Sequence, residues 1–379
     1  MVLVSAVATA CAAGSTASAV SDRPDTPFKL ATFETAGKTR LGMVLGSRVL
    51  DIEAADQELA RAAGVTPATI PPEMRALIEQ YETLSPRLYQ IANYFSANAP
   101  GGSVAFEESA VSFKAPIKYP WNLLAAAANY KLHAEGMGAP GGEAAATAAP
   151  ATRPAAPGGF DASAVSRIVP DRDAPIMFAK SPRSCIIDPE EPFYIVDGRQ
   201  RTDYEGEMAI VMGPRPAYRI SRDEAHDYVF GYTVAEDVSD RGSERLRVET
   251  MFPGTNWFDG KSIDRAAPMG PYIVPKEFLP QGSGHLRLTT RLNGDIVQDA
   301  NTDQLIWDEA HLVAYLASRL TLYPGDVILT GTPAGTGMER QVFLKPGDVV
   351  TVEIEGIGTL TTPFKALSEK PGANTTGTP

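Results

Sequence analysis

The sequence predicts an α+β fold in which mixed sheets form most of the chain. Strand-like segments dominate from Phe178 onward, and only Asp223–Tyr228 and Glu309–Leu320 are clearly helical there. The N-terminal part consists of a few short strands and one helical segment. Strands and helices do not alternate as regular βαβ units, which argues against a doubly wound sheet. The length of 379 residues fits two domains.

The N-terminal segment is predicted to be a small α+β domain at residues 26–115. Strands are expected at Phe28–Glu34, Arg40–Leu45 and Arg48–Ile52, with glycine in the turns between them. Pro71–Ala97 is predicted to be helical because its apolar residues recur at helical spacing. These residues are Met74, Leu77, Ile78, Tyr81 and Leu84.

The second domain is predicted at residues 116–367, with an irregular, disordered tail at residues 368–379. An alanine-rich strand, Trp121–Tyr130, leads into a loop or short helix that contains His133. Later, the helix Glu309–Leu320 concentrates its apolar residues on one face, as expected for a helix that packs on a core.

A low-complexity insertion occupies residues 139–159, where alanine, proline and glycine dominate. This composition cannot bury a core, so the insertion is predicted to be mobile. It begins six residues after His133, and two interpretations stay open: a lid over a site, or a plain linker.

Composition excludes several classes of function. The net charge of −12 argues against a nucleic-acid partner, which requires a basic surface. Cys11 and Cys185 are the only cysteines and cannot form a disulfide framework. No apolar stretch in the body of the chain is long enough to span a membrane.

The first 25 residues allow two interpretations. Val2–Ala13 is apolar and Ala17–Ala19 fits an A-x-A cleavage site, as in a signal for export to the periplasm. However, no lysine or arginine precedes the apolar stretch. The alternative is an unstructured start before a cytoplasmic enzyme.

Three carboxylates are the strongest functional signal in the chain. Glu205 and Glu207 are two residues apart at the start of an apolar run, so in a strand they point to the same face. Asp237 follows a second strand-like run. Buried carboxylates are costly unless they are paired or bind a metal. An oxygen-only site without histidine or cysteine suits Mg²⁺, with Mn²⁺ or Ca²⁺ as alternatives, and argues against zinc.

The segments around these carboxylates resemble, in order and spacing, the fumarylacetoacetate hydrolase family. The resemblance runs from about Phe178 to Phe364. Its segments are Phe178–Pro182, Asp203–Met208, Gly231–Ser239, Trp257–Asp264, Asp326–Gly335 and Phe343–Gly358. It implies a mixed β-roll catalytic domain and a homodimer.

The resemblance also implies a chemistry and a set of site residues. Members of this family bind 2-oxo or 2,4-dioxo acids through a divalent metal, and here Glu205, Glu207 and Asp237 match the ligand positions. His133 matches a general base, and Lys261 a catalytic cation that also contacts the substrate; the alternative for Lys261 is a plain ion pair with Glu205 or Asp237. The remaining positions implied to bind substrate are Tyr130, Arg241, Gly331 and Thr332.

Three sites depart from the family pattern, and one of them is Gly242-Ser243-Glu244, which replaces the usual Asp-Leu-Gln after Arg241. Many members carry glutamate three residues after the histidine, where this chain has Gly136. We therefore expect Glu135, or Glu143 in the insertion, to orient His133. If the segment is helical, Glu135 faces away from His133. Glu236 replaces an asparagine that is common before the metal-binding aspartate.

The leading functional prediction is a metal-dependent hydrolase that cleaves a C–C bond in a 2,4-dioxo acid such as an acylpyruvate. Decarboxylase, isomerase and lyase reactions of the same family are alternatives. A different class, a non-catalytic protein that binds metal or an oxo acid, is favoured by Gly136. Retention of His133, Lys261 and Thr332 opposes it, since metal binding alone does not require them.

Overall fold

The computed structural model describes residues 20–136, 166–242, 257–279 and 282–372. The predictions for residues 139–159, and for Glu143 within them, lie outside the described residues, as does most of the predicted N-terminal signal. The predicted tail begins in a 3₁₀ turn, Leu367–Glu369, and its residues from 373 onward lie outside the described part.

The three predicted N-terminal strands form close to their predicted positions, and the structure adds a helix at Ile52–Ala63 and two short strands that the sequence did not predict. Asp51 caps the first helix by accepting hydrogen bonds from the backbone N–H groups of Glu53 and Ala54. The predicted helix at residues 71–97 is divided at Gln80, whose backbone leaves the helical conformation. The elements are β1 (Lys29–Thr35), β2 (Lys38–Leu45), β3 (Arg48–Asp51), α1 (Ile52–Ala63), α2 (Met74–Glu79), α3 (Tyr81–Ala97), β4 (Ala105–Glu107) and β5 (Ser112–Lys114).

The middle of the chain supplies the strands that surround the site. Its elements are β6 (Leu123–Ala127), α4 (Lys131–Gly136), β7 (Ile176–Lys180), α5 (Pro182–Cys185), β8 (Ile186–Ile187), β9 (Phe193–Ile195), β10 (Thr202–Asp203), β11 (Gly206–Met212), α6 (Arg222–Ala225), β12 (Val229–Glu236), β13 (Ser239–Asp240) and α7 (Trp257–Lys261). The helix predicted at Asp223–Tyr228 is observed as α6 followed by a 3₁₀ turn, His226–Tyr228.

The C-terminal part consists mainly of hairpins and one amphipathic helix. Its elements are β14 (Ala267–Pro268), β15 (Tyr272–Pro275), β16 (Arg287–Leu292), β17 (Asp295–Asn301), α8 (Glu309–Ala317), β18 (Val327–Leu329), α9 (Gly337–Arg340), β19 (Val349–Ile354) and β20 (Gly358–Ala366). Helix α8 buries Leu312, Val313 and Leu316, as its sequence pattern predicts. Further 3₁₀ turns are Glu108–Ala110, Lys276–Phe278, Ser283–His285 and Thr302–Gln304.

Two sheets make up the body of the protein, which confirms the predicted mixed fold. The larger has the strand order β4-β3-β2-β1-β15-β12-β11-β18-β6-β7, with β5 paired to β1, and its described strands do not close into a barrel. The smaller has the order β17-β16-β19-β20-β9. Pairing is antiparallel around β11, whereas β18 and β6 are parallel.

Strand β11 lies between two layers of the core, and all of its residues are buried. Met208, Ile210 and Met212 pack in one apolar cluster with residues of the smaller sheet such as Val352. Ala209 and Val211 belong to a second cluster, shared with the N-terminal helices. Because side chains alternate along a strand, Glu207 lies on the side of Ala209 and Val211.

The larger sheet continues across the predicted domain boundary near residue 115, because β1 pairs with β15. The division into two domains therefore stays a prediction. Among the helices that the structure describes, none combines the length and apolar character needed to cross a membrane.

Candidate metal centre

The structure brings together the three carboxylates that the sequence singles out. One carboxylate oxygen from each of Glu205, Glu207 and Asp237 lies within 4.8 Å of the others. The antiparallel pairing of Gly206 with Glu236 places Glu205 opposite Asp237, and the Asp237 N–H donates to the Glu205 carbonyl at 2.9 Å. All three side chains are buried.

Buried cations hold this triad of carboxylates. Lys261 donates to Glu205 Oε2 at 2.6 Å and to Asp237 Oδ2 at 2.7 Å, so it bridges two of the three. Lys180, which is buried at the end of β7, pairs with the other oxygen of Asp237. Arg241 pairs with Glu205 and donates through Nε to Asp203 Oδ2 at 2.9 Å.

The electrostatics of Glu207 fit a bound cation. Burial, reinforced by the Asp237 and Glu205 carboxylates, raises the pKa of Glu207 well above its usual range. Its Oε2 accepts the backbone N–H of Gly331 at 2.6 Å, whereas its buried Oε1 has no hydrogen-bond partner among the described residues. A metal ion bound here would contact this unpaired oxygen and reduce the repulsion among the three carboxylates.

The donor atoms decide which ions fit. The triad offers carboxylate oxygens only, which is the ligand set of Mg²⁺, Mn²⁺ and Ca²⁺ rather than of zinc. These three residues can therefore hold a divalent hard cation. Such ions bind about six oxygen ligands. Because the triad supplies only part of that number, oxygen atoms of water or substrate can complete the coordination.

The loop after β18 lies against the triad. Gly331 donates its N–H to Glu207, as stated above, while the Thr332 hydroxyl donates to the Gly206 carbonyl at 3.1 Å and accepts from Gln298 at 2.8 Å. The hydroxyl thus supports the start of β11. The predicted substrate contacts of Gly331 and Thr332 remain predictions.

The predicted substrate contact of Tyr130 remains a prediction, but the residue is near enough to the triad for the charge of Glu207 to act on its phenol. Its side chain is buried, and within the described part of the chain its hydroxyl has no hydrogen-bond partner. Burial, reinforced by the negative charge of nearby Glu207, raises the pKa of this phenol. It therefore stays protonated and can act as a hydrogen-bond donor.

His133 contacts a residue other than the expected Glu135, while the alternative, Glu143, lies outside the described residues. His133 is buried on α4, and its Nδ1 lies 2.7 Å from Glu339 Oε1. Glu135 is exposed on the same short helix, where a residue two positions away points to a different side. Glu339 on α9 is the residue that contacts the imidazole.

Glu236, another departure from the family pattern, lies on the side of the strand that faces the smaller sheet. It is the last residue of β12, immediately before Asp237, and pairs with Gly206, where a Cβ atom would meet Thr290 and Val352 of the smaller sheet. Burial raises the pKa of Glu236 to about 8. Glu236 therefore lies between the two sheets and is not one of the three converging carboxylates.

Sequence reasoning missed three charged residues at this centre: Lys180, Asp203 and Glu339. Lys180 and Asp203 lie in segments that resemble the family. However, the sequence around a single charged residue at the end of a strand does not indicate which residue it pairs with. Thr336-x-x-Glu339 has the spacing of a capping box, and both of its hydrogen bonds are present. That pattern predicts a helix start and nothing about His133.

Comparisons with known proteins agree with this architecture. A family profile described as fumarylacetoacetate (FAA) hydrolase C-terminal matches residues 123–365. The mitochondrial oxaloacetate tautomerase fahd2 of Xenopus laevis is 31% identical over 350 residues, which cover 91% of this chain and 92% of that protein. The corresponding Fahd2a of Rattus norvegicus is 39% identical over 188 residues, 49% of this chain and 57% of its own.

Solved structures show the same fold. Maleylpyruvate hydrolase from Sphingobium sp. SYK-6, in complex with manganese(II) and pyruvate, has 25% identity and a TM-score of 0.60 over 89% of this chain and 99% of its own. A fumarylacetoacetate hydrolase from Exiguobacterium antarcticum has 26% identity and a TM-score of 0.62 over the same shares of the two chains. The match of the profile and of the Xenopus relative along most of the sequence establishes that this chain belongs to the fumarylacetoacetate hydrolase family.

Proposed function

We propose that this chain is a divalent-metal-dependent enzyme that moves a proton at the carbon next to the carbonyl of a 2-oxo acid, and that its reaction is the keto–enol tautomerisation of oxaloacetate. The observation that supports this most directly is the buried triad of Glu205, Glu207 and Asp237 beside Lys261 and the loop at Gly331. The similarity to an oxaloacetate tautomerase along most of both chains supports this substrate among 2-oxo acids.

The charge of the site favours an anionic substrate. Four buried carboxylates, those of the triad and Asp203, surround three cations, Lys180, Arg241 and Lys261. One negative charge remains if all are ionised. A divalent cation would turn this into one positive charge, which attracts a 2-oxo carboxylate.

We assign a separate role in the reaction to each group of the site. A divalent ion held by the triad, for which we propose Mg²⁺ with Mn²⁺ as a substitute, would act as a Lewis acid on a carbonyl oxygen. His133 would carry the proton between the enol oxygen and the adjacent carbon, taking it from one atom as a general base and giving it to the other as a general acid. Tyr130 would donate its hydroxyl to the substrate, and Lys261 would keep Glu205 and Asp237 in place.

A second candidate is the hydrolysis of a C–C bond in an acylpyruvate. The similarity to maleylpyruvate hydrolase favours it, and His133 would then activate water instead of acting on carbon. Both candidates need the triad and His133, so they differ in substrate and in what receives the proton.

The full chain should be assayed with Mg²⁺ or Mn²⁺ on three reactions in parallel. These are enol-to-keto conversion of oxaloacetate, loss of acylpyruvate, and release of CO₂ from oxaloacetate. We expect tautomerisation to be accelerated and to stop on chelation of the metal. The Asp237→Asn variant, which keeps the size of the side chain, should lose at least about 100-fold in rate.

Binding of Mn²⁺ without acceleration of any of the three reactions would favour a non-catalytic binding protein. Acceleration of acylpyruvate loss alone would select the hydrolase. We also propose the homodimer that the family resemblance implies, and sedimentation equilibrium of the full chain tests it.

A further inference from the structure

We propose that Gln298 is a positioning residue of the metal centre. Its buried amide holds the peptide between two carboxylates of the triad and fixes the direction of the Thr332 hydroxyl. The proposal rests on the proposed function, because it takes the triad as the place where the metal binds. Gln298 belongs to β17, at one end of the strand order of the smaller sheet, so it joins a further element to the centre.

The Gln298 amide makes three hydrogen bonds, and its side chain is buried. Its Oε1 accepts the backbone N–H of Gly206 at 3.1 Å. Its Nε2 donates to the Thr332 hydroxyl at 2.8 Å and to the Pro333 carbonyl at 2.7 Å. A backbone N–H only donates and a carbonyl only accepts, so Gly206 and Pro333 fix which end of the amide is oxygen. The side chain thus links β17 to β11 and to the loop after β18.

These contacts close a ring of hydrogen bonds, which we call the Gln298 ring. Gly206 donates to Gln298, Gln298 donates to Thr332, and Thr332 donates to the Gly206 carbonyl at 3.1 Å. The Thr332 hydroxyl has a single hydrogen. Because the amide nitrogen of Gln298 only donates, this hydrogen points to the Gly206 carbonyl. The ring therefore leaves the Thr332 side chain no hydrogen to donate to a substrate.

Gly206 is the residue between Glu205 and Glu207, so its peptide groups set the direction of both carboxylates. Glycine has more backbone freedom than any other residue, and its partners must therefore restrict it. The Gln298 ring holds both the N–H and the carbonyl of Gly206. The loop in the ring also donates to Glu207, through the Gly331 N–H at 2.6 Å. Loss of the ring should therefore displace two of the three carboxylates of the triad.

Two close approaches of the backbone allow the ring to form. A Cβ atom at Gly206 would lie 2.2 Å from Oγ1 of Thr290, the residue of β16 that pairs with Gln298. A Cβ atom at Gly335 would lie 2.1 Å from the carbonyl oxygen of Val297. A side chain at either glycine would push the β16–β17 hairpin away from the centre. The two glycines thus let the amide of Gln298 reach both β11 and the loop.

The first test measures Mn²⁺ binding to the metal-free full chain in the absence of substrate. Gln298→Met keeps the length of the side chain and removes all three hydrogen bonds. The Kd for Mn²⁺ should rise by about 10- to 100-fold, the usual effect of changing a group that holds metal ligands in place. A folded Gln298→Met variant with the Kd of the parent overturns the proposal.

The control variant lies in the turn of the same hairpin. Asn293 has φ of +53°, and its side chain accepts the Val349 N–H at 2.9 Å. Asn293→Ala should lower Tm, because it loses this hydrogen bond and alanine is strained at positive φ. Its Kd for Mn²⁺ should be that of the parent. An equal loss of Mn²⁺ affinity in Asn293→Ala and Gln298→Met would assign both losses to stability and contradict the proposal.

The second test separates the Gln298 ring from a direct contact between Thr332 and substrate. Thr332→Val opens the ring and should raise the Kd for Mn²⁺ without substrate, whereas Thr332→Ser keeps the hydroxyl and should bind Mn²⁺ as the parent does. A hydroxyl that contacts substrate alone would change KM and leave this Kd unaltered, which contradicts the ring. The test remains decisive if Gln298→Met fails to fold.

The double variant Gln298→Met with Thr332→Val tests whether the two residues act as a unit. Both changes open the same ring, so the double variant should bind Mn²⁺ little more weakly than the weaker-binding single variant. Losses of affinity that multiply would contradict the proposal. A parent that binds Mn²⁺ but accelerates none of the assayed reactions contradicts the proposed function, while the ratios of the Kd values still decide the role of Gln298.

Discussion

At the scale of single residues, the centre is a balance of buried charges. Glu205 and Asp237 share Lys261, and each has a second cation, whereas Glu207 has a backbone N–H and an oxygen without a partner in the described structure. A buried charge with incomplete pairing is costly to folding. Glu207 is therefore the carboxylate of the triad that would gain most from a bound metal.

We predict that Glu207→Gln separates metal binding from folding. The amide oxygen can still accept the Gly331 N–H, and loss of one of three crowded charges relieves repulsion, so Tm of the metal-free protein should not fall. A divalent ion at 100 times its Kd should stabilise the parent by about 2.7 kcal/mol and the variant hardly at all. Thermal melts with and without Mn²⁺ measure both effects.

The exposed Glu353→Gln is the matched control. It should respond to Mn²⁺ as the parent does. A Glu207→Gln variant with the full metal-induced rise in Tm would show that Glu207 is not a ligand.

At the scale of elements, strand pairing explains why the functional segments meet. Strands β6 and β18 are parallel neighbours, so their C-terminal ends lie at the same edge of the sheet. The segment with Tyr130 and His133 follows one, and the loop with Gly331 follows the other. Strand β11 is antiparallel to β18, so its N-terminal end, with Glu205 and Glu207, lies at this edge as well.

We predict that Gly331→Ala damages the centre through the backbone. Gly331 has φ of +95°, and a Cβ atom there would lie 2.8 Å from Asn129 Cβ. The substitution should lower the free energy of unfolding by more than the backbone strain alone, which is about 1–3 kcal/mol. It should also weaken Mn²⁺ binding, because the backbone N–H that donates to Glu207 is displaced. Calorimetric titration and urea unfolding measure the two losses.

Gly347→Ala provides the comparison, since Gly347 has φ of +97° and a Cβ atom there would have no heavy atom within 4 Å. This variant should lose only the stability that backbone strain costs, and it should bind Mn²⁺ with the affinity of the parent. Equal Mn²⁺ affinity in the two variants would contradict the assigned role of the Gly331 amide.

A second prediction at this scale concerns the contact between the 3₁₀ turn after α6 and helix α8. The hydrogen bond to Glu309, at 2.8 Å, raises the pKa of His226. Because the folded pKa lies above the unfolded value, the stabilisation is fully present at pH values below the unfolded pKa and is lost as pH rises through the folded pKa. The pair is partly exposed, so the effect is small, about 0.5 kcal/mol.

Urea unfolding of His226→Gln at two pH values measures this effect. The variant should be less stable than the parent at pH of about 5.5 and equal to it at about 9. His285→Gln, at an exposed histidine, should show no such difference. If His226→Gln is less stable than the parent by the same amount at both pH values, the charge of His226 does not contribute to stability through its contact with Glu309.

At the scale of the whole molecule, the N-terminal elements and the strands around the site share one sheet and one core. Leu30 of β1 pairs with Ile273 of β15. The rings of Tyr81 and Phe230 are 4.8 Å apart, and the Tyr81 hydroxyl donates to Glu277 at 2.6 Å. Contacts of this extent couple the folding of the two predicted domains.

We therefore predict that the metal-free full chain unfolds in a single calorimetric transition. Phe230→Ala removes an aromatic ring from this shared core. It should lower the free energy of unfolding by about 3–5 kcal/mol and move the whole transition to a lower temperature. Differential scanning calorimetry measures this. Two transitions, of which only one responds to Phe230→Ala, would show that the domains fold independently.

The sequence alone predicted the three carboxylates that converge and most of the elements around them. The side-chain period of a strand places Glu205 and Glu207 on one face, and this rule needs no knowledge of the rest of the chain. The apolar spacing of α8 and the strands near the N-terminus are local in the same way. For this reason β1 is observed at Lys29–Thr35 where Phe28–Glu34 is predicted.

Only the tertiary structure decided which charged residues surround these ligands and which carboxylate holds the histidine. His133 and Glu339 are 206 positions apart, and they meet because β6 and β18 are neighbours in the sheet. Local patterns made Glu135 the expected partner, since it is near in sequence, but a helix turns it away. Long-range contacts of this kind depend on the order of strands in a sheet, which the periodicity of any one segment does not encode.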